Sequence, residues 1–169
     1  LRKVVDCSRV LVWGRSKEET ESYRRDMEKE GFMVETARDP GRIQDQCSLI
    51  VTTTPSKKPL LKVERLRKGT HMTAVGSDTA EKQELDTAIL KSADLVVADS
   101  IVQCMERGEI YKALEAGQMS KEDLLELGQV ITGTVAGRSS DDQITVADLT
   151  GVAVQDIAIA SAVFEAYLK

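Results

Sequence analysis

Gly69-Thr70-His71-Met72-Thr73-Ala74-Val75-Gly76-Ser77-Asp78-Thr79-Ala80-Glu81-Lys82-Gln83-Glu84-Leu85-Asp86 decides the fold. His71 to Val75 alternates in polarity and reads as a strand, the Gly-Ser-Asp turn ends it, and the charged residues beyond read as a helix start, with a helix over Asp86 to Ser92. One carboxylate, Asp78, then stands just past the strand's C-terminal end. In an open parallel α/β sheet that edge is where ligands bind, because the connecting loops form the crevice and helix N-termini point into it. Asp78 is the leading catalytic candidate on this ground.

The flanking sequence repeats the same alternation. Val10 to Trp13 is a four-residue apolar run bounded by polar residues, the pattern of a strand buried on both faces. Ser16-Lys17-Glu18-Glu19 fits a Ser-x-x-Glu capping box opening a helix to about Lys29, stopped at Gly31. Phe32 to Thr36 is a second strand, Gly41 to Gln46 a short helical stretch, and Ser48 to Thr53 a third strand closed by Pro55. Leu60 to Leu66 reads as an irregular or short helical crossover, and Asp94 to Asp99 as the last buried strand of the series. Strand, helix, strand in this order implies a parallel sheet with right-handed crossovers. Helices are expected over Ile101 to Arg107, Glu109 to Ala116 and Ser120 to Leu127, the last from a Ser-x-x-Asp cap. Gly133 to Asp142 is a Gly, Ser and Asp-rich loop, and Ile144 to Asp148 a short strand. Val152 to Leu168 places Val, Ala and Ile on nearly every side of a helix, so that helix packs inside a larger core or against another subunit. Leu1 to Asp6 reads as a helix end.

The 169 residues suffice for one domain with a full core. With 23 basic and 28 acidic residues, the net charge of -5 argues against a nucleic acid or an anionic membrane as the main partner and favours a small molecule. Cys7, Cys47 and Cys104 match no metal-ligand or redox spacing and fit free thiols in a reducing cytosol. No apolar run approaches the roughly 18 residues of a membrane span, and no basic segment leads into an apolar one, so the expectation is a soluble cytoplasmic protein without a metal site.

A dinucleotide-binding fold carries Gly-x-Gly-x-x-Gly after its first strand, and none of the 11 glycines has that spacing. The residue that reads the adenosine ribose lies at the end of the second strand, about 20 residues after the glycine turn. If Val10 to Trp13 is that second strand, the first strand and glycine turn lie upstream of Leu1. A bare ribose prefers an acid at this strand end, whereas a 2'-phosphate prefers arginine and hydroxyl groups. Gly14-Arg15-Ser16 therefore leans toward NADP over NAD, although Ser16 as a helix cap and Arg15 as a solvated charge explain the same residues.

Val10 to Ser16, Thr52-Thr53-Thr54-Pro55-Ser56, Gly69 to Asp86, Ala93 to Ser100 and Asp142 to Asp156 together resemble the ornithine cyclodeaminase and mu-crystallin family. Val75-Gly76-Ser77-Asp78 with Lys82, Glu84 and Leu85 is the most specific part, and Asp148 to Asp156 most resembles members linked to ectoine breakdown. The resemblance implies a Rossmann-like α/β domain over residues 1–142, incomplete at its N-terminus, and a segment over 143–169 that returns to an absent substrate and dimerisation domain. It implies a nicotinamide cofactor, an amino-acid or cyclic-imine substrate, and a homodimer in the complete protein. The reaction class it implies is hydride transfer at a nitrogen-bearing carbon, as in a cyclodeaminase, an amino-acid dehydrogenase or a ketimine reductase.

By the same resemblance Asp78 is the general acid/base or electrostatic group and touches substrate, with Thr150 close to the substrate. Gly14, Arg15, Ser16, Thr53, Thr54, Pro55, Val75, Gly76, Ser77, Lys82 and Leu149 fall at cofactor positions. Leu149 stands where some members have serine, and Thr79-Ala80-Glu81 replaces a Pro-Gly type sequence, which argues against ornithine as substrate. The 169 residues alone are expected neither to turn over substrate nor to bind cofactor tightly.

Plainer roles compete at each position. Asp78 suits a turn cap, Lys82 a surface lysine, His71 a sheet face and Trp13 a core. Two other function classes stay open, a non-catalytic NADP-binding crystallin-like protein and a generic α/β binding module.

Overall fold

The computed structural model describes residues 5–168. In chain order it runs β1 (Arg9–Val12), α1 (Lys17–Lys29), β2 (Met33–Thr36), α2 (Pro40–Gln46), β3 (Leu49–Thr52), β4 (Lys57–Leu61), β5 (His71–Ala74) and β6 (Gln83–Leu85). It continues through α3 (Thr87–Ser92), β7 (Leu95–Ala98), α4 (Ile101–Cys104), α5 (Gly108–Glu115), β8 (Leu124–Glu126), α6 (Leu127–Ile131), β9 (Thr145–Asp148) and α7 (Ala153–Tyr167). The fold is α/β, with a five-stranded parallel sheet in the order β3-β5-β9-β7-β8 and two further parallel pairs, β1-β2 and β4-β6.

One row of side chains organises the core. Ile50, Met72, Val146, Val96 and Leu124 are register partners from strand to strand across the whole sheet, and all are buried. Ile89 and Leu90 of α3 and Ile110 and Ala113 of α5 close over the same cluster. Each such side chain contributes about 1.5–3 kcal/mol through its removal from water. Period-two alternation explains the register: in β5 the pleat buries Met72 and Ala74 and leaves His71 and Thr73 half-buried.

Local signals place the helices around this sheet. Ser16 caps α1, its hydroxyl accepting from the Glu19 N–H at 3.2 Å, and Gly31 (φ 84°) ends the turn beyond it. Asp39 caps α2 by accepting from Arg42 N at 3.1 Å, with Pro40 at the first helical position. Asp86 caps α3, accepting from Ala88 N at 3.0 Å.

Several expectations are corrected. Gln83–Leu85 is strand β6 where the sequence suggests a charged helix start, because pairing with β4 sets Leu85 opposite Leu61 and buries both. The crossover over Leu60 to Leu66 holds the end of β4 followed by a 3₁₀ turn, Val63–Arg65. Ser120 and Asp123 form the expected capping box, yet it opens only a 3₁₀ turn at Lys121–Asp123. The residues after it become β8, since the free edge of β7 offers Leu124 both ladder hydrogen bonds and burial.

β7 is not the last strand of the series. β9, formed from the expected Ile144 to Asp148 segment, enters between β5 and β7. The helix expected to reach Arg107 stops at Cys104, and Gly108, at φ 92°, breaks the chain direction before α5. β1 is half-buried rather than buried on both faces, because it has a partner on one side only. Leu1 to Val4 of the expected helix end lie outside the described residues, and Val5 and Asp6 have no regular structure.

Val152 to Leu168 does form a helix, α7, and its apolar side chains are exposed: Val154, Ile157, Ile159, Val163 and Phe164 are each 61–66 % accessible. Among the described residues no helix is long and apolar enough to cross a membrane.

Ile89 tests the core. Ile89→Ala, at a fully buried position, is expected to cost about 2–5 kcal/mol in urea-induced unfolding, and a loss below about 1 kcal/mol would contradict the packing described.

Candidate functional site

Because the strands are parallel, their C-terminal ends fall on one edge, where Thr52, Ala74, Asp148, Ala98 and Glu126 form a single row of register partners. The chain leaving three of them adds one more bond to the ladder. Val75 N donates to Thr52 O (2.9 Å), Leu149 N to Ala74 O (2.8 Å) and Asp99 N to Asp148 O (3.1 Å). The sequence-predicted Thr53, Thr54, Pro55, Val75, Gly76, Ser77, Asp78, Leu149 and Thr150 thus share this edge. Val75 and Asp78 are exposed, Leu149 is half-buried, and Ser77 and Thr150 are buried. The Thr150 hydroxyl donates to Asp99 Oδ1 (3.3 Å) and accepts from Gln103 Nε2 (3.2 Å), so it ties the end of β9 to the chain after β7.

Beneath the edge lie carboxylates to which the sequence reading gave no role, although Glu84 belongs to the stretch that most specifically carries the family resemblance. Glu84 of β6 is fully buried: its Oε1 accepts from Thr54 N (2.6 Å) and Thr54 Oγ1 (2.7 Å), and its Oε2 from Gly76 N (3.0 Å). Glu109 of α5, also buried, accepts from Glu84 N (2.6 Å) and Leu85 N (3.0 Å). Asp148 accepts from Ile110 N (2.8 Å), and Asp99 from Ser100 N and Gly151 N, both at 2.8 Å. A buried carboxylate is tolerated only where such donors replace water. Burial pushes the Glu109 carboxyl up to about 7 against the pull of the Glu84 and Leu85 N–H groups. Burial, with Glu109 and Asp99 adding negative charge nearby, pushes Asp148 up to about 8 against the Ile110 N–H.

Asp78 has the opposite character. It is exposed, and Lys82 Nζ donates to its Oδ1 at 2.5 Å. That bond, with Arg107 adding positive charge, holds the Asp78 carboxyl below the usual carboxylate range, so it is ionised at neutral pH and can accept a proton. Lys82 is thereby a partner of Asp78 and not a free surface cation. His71 sits at the start of β5, away from Asp78 at its end, and its ring nitrogens meet Thr145 Oγ1 (2.6 Å) and Thr73 Oγ1 (3.1 Å), in keeping with a sheet-face role.

A second group gathers past the end of β1. Gly14 and Arg15 line a cavity of about 870 Å³ together with Trp13, Lys17, Arg25 and Arg38. Ser16 caps α1 beside it. Glu18 and Glu21 share the lining, and Glu21 is engaged by Arg24. Trp13 is half-buried rather than core, and it also lines a smaller cavity with Thr52, Thr53 and Thr54. Trp13 therefore joins the basic cavity to the edge that carries Asp78. Arg38 was missed by the sequence reading, and its signal is its place two residues after β2, the parallel neighbour of β1.

Parallel strands alternating with helices, loops converging at one sheet edge and a basic cavity past β1 define a Rossmann-like dinucleotide-binding class of domain. The chain belongs to the ornithine cyclodeaminase/mu-crystallin family, whose description matches residues 1–169. It is 39 % identical over 166 residues to the alanine dehydrogenase of Archaeoglobus fulgidus, covering 98 % of this chain and 51 % of that protein. The fold superposes on an archaeal alanine dehydrogenase dimer with bound NAD at a TM-score of 0.90, with 38 % identity over 99 % of this chain and 52 % of that one. It superposes on the iminosuccinate reductase of Paracoccus denitrificans in complex with NAD⁺ at 0.86, with 35 % identity over 96 % of this chain and 50 % of that one. The chain spans about half the length of these relatives.

The raised carboxyls fix a pH dependence. Asp148 and Glu109 hold protons in the folded state that the unfolded chain releases at ordinary carboxylate pKa, so their contribution to stability is greatest at low pH and is lost as pH rises through about 7 and about 8. Each group contributes a slope of up to about 1.4 kcal/mol per pH unit. His71, with its pKa lowered by burial, acts in the other direction only up to its ordinary value, and the raised Cys104 thiol adds a fall of its own only as pH nears 9, so the clean window is pH 6.5 to 8. The melting temperature is expected to fall across that window, and Asp148→Asn, which fixes the neutral form, is expected to flatten the fall. A slope unchanged by the substitution contradicts the assignment.

Proposed function

We propose that this chain is the cofactor-binding part of an NAD(P)-dependent oxidoreductase acting on amino acids or cyclic imines. The observation that carries the reading is the ionised Asp78 at the end of β5, on the sheet edge that Thr52 to Thr54 and Trp13 connect to the basic cavity. The residues present fit a nicotinamide dinucleotide: about 870 Å³ lies in the usual range for small-molecule sites, and Arg15, Lys17, Arg25 and Arg38 supply cations for phosphate. Gly14, Arg15 and Ser16 receive the adenosine ribose, and Thr53, Thr54, Pro55, Val75, Gly76, Ser77 and Leu149 line the path toward the nicotinamide.

A nicotinamide held by these residues would supply the hydride donor or acceptor for the carbon bearing nitrogen. Asp78 takes the proton that the amine loses, or returns it to the reduced imine, and its negative charge stabilises the iminium cation. Lys82 keeps Asp78 ionised and oriented for this task. Thr150, next to the edge, supports the substrate side. Two relatives, an alanine dehydrogenase and an iminosuccinate reductase, are named for an amino acid and an imine, which supports this class.

The cofactor portion runs on through β9, the middle strand of the five-stranded sheet, so the segment that leads away starts near Gly151 rather than at the residue 143 expected from the sequence. The apolar faces of α7 are covered by the rest of the complete protein, including a second copy in a homodimer. A protein of this kind works on small molecules in the cytoplasm, without nucleic acid or membrane partners.

Two substitutions in the native protein test the reading. Asp78→Asn is expected to lower kcat by about 10²–10⁴-fold with little change in cofactor affinity or melting temperature. Lost stability with unchanged rate makes Asp78 a turn cap instead, and a native protein that binds cofactor but turns over no amine or imine is a binding protein of the crystallin kind. Arg15→Ala is expected to weaken NADP about 10–100-fold more than NAD in equilibrium titrations, the scale of one charge-assisted bond. Equal weakening of both assigns Arg15 no part in reading the 2'-phosphate.

A further inference from the structure

Asp78 and Thr54 belong to different loops, one after β5 and one after β3, and they must keep a fixed separation for a ligand lying across both. The two loops meet at one point. A Cβ on Gly76 would lie 2.2 Å from Thr54 O, 2.4 Å from Thr54 N and 2.7 Å from Glu84 Oε2, so the backbones of the two loops meet there against the Glu84 carboxylate. At that contact both Thr54 N and Gly76 N turn away from the ladder and into the Glu84 carboxylate, one on each oxygen. The Thr54 hydroxyl adds a second bond to Oε1. Glu84 comes from neither loop. It stands on β6, whose backbone is fixed in turn by the Glu109 carboxylate on α5.

We propose that Glu84 is a positioning residue of the site, clamping the loop that carries Thr53 and Thr54 to the loop that carries Gly76, Ser77 and Asp78 so that the two move as one body. The role rests on the functional reading above in naming what the loops hold, but the clamp itself is a property of this chain. A carboxylate is the side chain the position requires. Two backbone N–H groups approach from two directions, and only a group with an acceptor at each end satisfies both. Glutamine keeps the length but presents its NH₂ to one of the two donors and leaves that N–H buried and unpaired. Aspartate keeps both acceptors but falls one methylene short.

The test uses Glu84→Gln in the native protein, with Glu84→Asp as the second variant should the first not fold. Amide hydrogen exchange is read at Thr54 and Gly76, with Val146 in the central strand as an internal reference. Exchange at Thr54 and Gly76 is expected to rise at least about ten-fold in both positions together while Val146 stays protected. In the same variant kcat is expected to fall about ten- to a hundred-fold with cofactor affinity reduced, the scale on which a misplacement of about 1 Å acts. The Glu84→Asp variant should fall between native and Gln.

Unchanged exchange at either amide overturns the clamp. Faster exchange at both with kcat and cofactor affinity unchanged overturns the positioning role and leaves Glu84 a structural residue. Faster exchange at both in the variant, together with a native protein that binds no nicotinamide cofactor, keeps the clamp and overturns the functional reading instead.

Discussion

The structure depends on buried carboxylates answering backbone N–H groups that the parallel ladder cannot use. A parallel sheet ends in loops whose first amides point past the last strand residue, and in a closed core those amides have no water. Here Glu84 takes the amides of Thr54 and Gly76, Glu109 takes those of Glu84 and Leu85, Asp148 takes that of Ile110, and Asp99 takes those of Ser100 and Gly151. In each place the carboxyl oxygens accept from donors that the ladder leaves over, or from the first N–H groups of a helix, which have no partner within the helix. The cost appears in the raised carboxyls of Glu109 and Asp148, both almost fully removed from water. Asp78, on the same edge but outside the core and beside Lys82, escapes that cost and stays ionised. One sheet edge thus holds two populations of acids, sorted by burial into those that build the site and the one free to act.

Elements governed by short-range chemistry were legible in the sequence. β5, β7 and β3 carry alternating or continuous apolar residues, Ser16 sits at a helix start with its donor three residues on, and the Gly76-Ser77-Asp78 turn follows its strand. Asp78 was legible for the same reason, since its place is set by one strand and one turn. The failures share a cause as well. β6 and β8 are three residues each, too short to show a period, and each exists because a partner strand from a distant part of the chain offers an edge. Ser120 and Asp123 send a valid local signal that the pairing of Leu124 with Val96 overrides after one turn.

The supporting acids were illegible for a different reason. Glu84 lies among Lys82, Gln83 and Asp86, and Glu109 follows Gly108 at a helix start, so both look like solvated surface acids until the long-range contacts bury them. Only Asp148, placed on a strand after Val146 and thus on the same face as a core residue, carried a period-two hint that its side chain turns inward. Arg38 needed the pairing of β1 with β2 before its nearness to Arg15 could be seen.

The same logic separates the edge of the sheet from α7. Along the edge, the acids that leave water are met by backbone N–H groups within residues 5–168: Glu84 by Thr54 and Gly76, Glu109 by Glu84 and Leu85, and Asp148 by Ile110. Along α7 the apolar groups have no such partner: Val154, Ile157, Ile159, Val163 and Phe164 present more than half of their surface to solvent on successive turns of one helix. A helix apolar on every side gains little from lying against one neighbour, since the faces turned away stay wet. Enclosure from several sides is the arrangement that such a sequence stabilises, and Gly151, at φ 86° directly after the Thr150–Asp99 contact, sets the direction in which the chain leaves the sheet for it. The sheet edge and the segment that opens into α7 are therefore joined through Asp99, which holds Thr150 and Gly151.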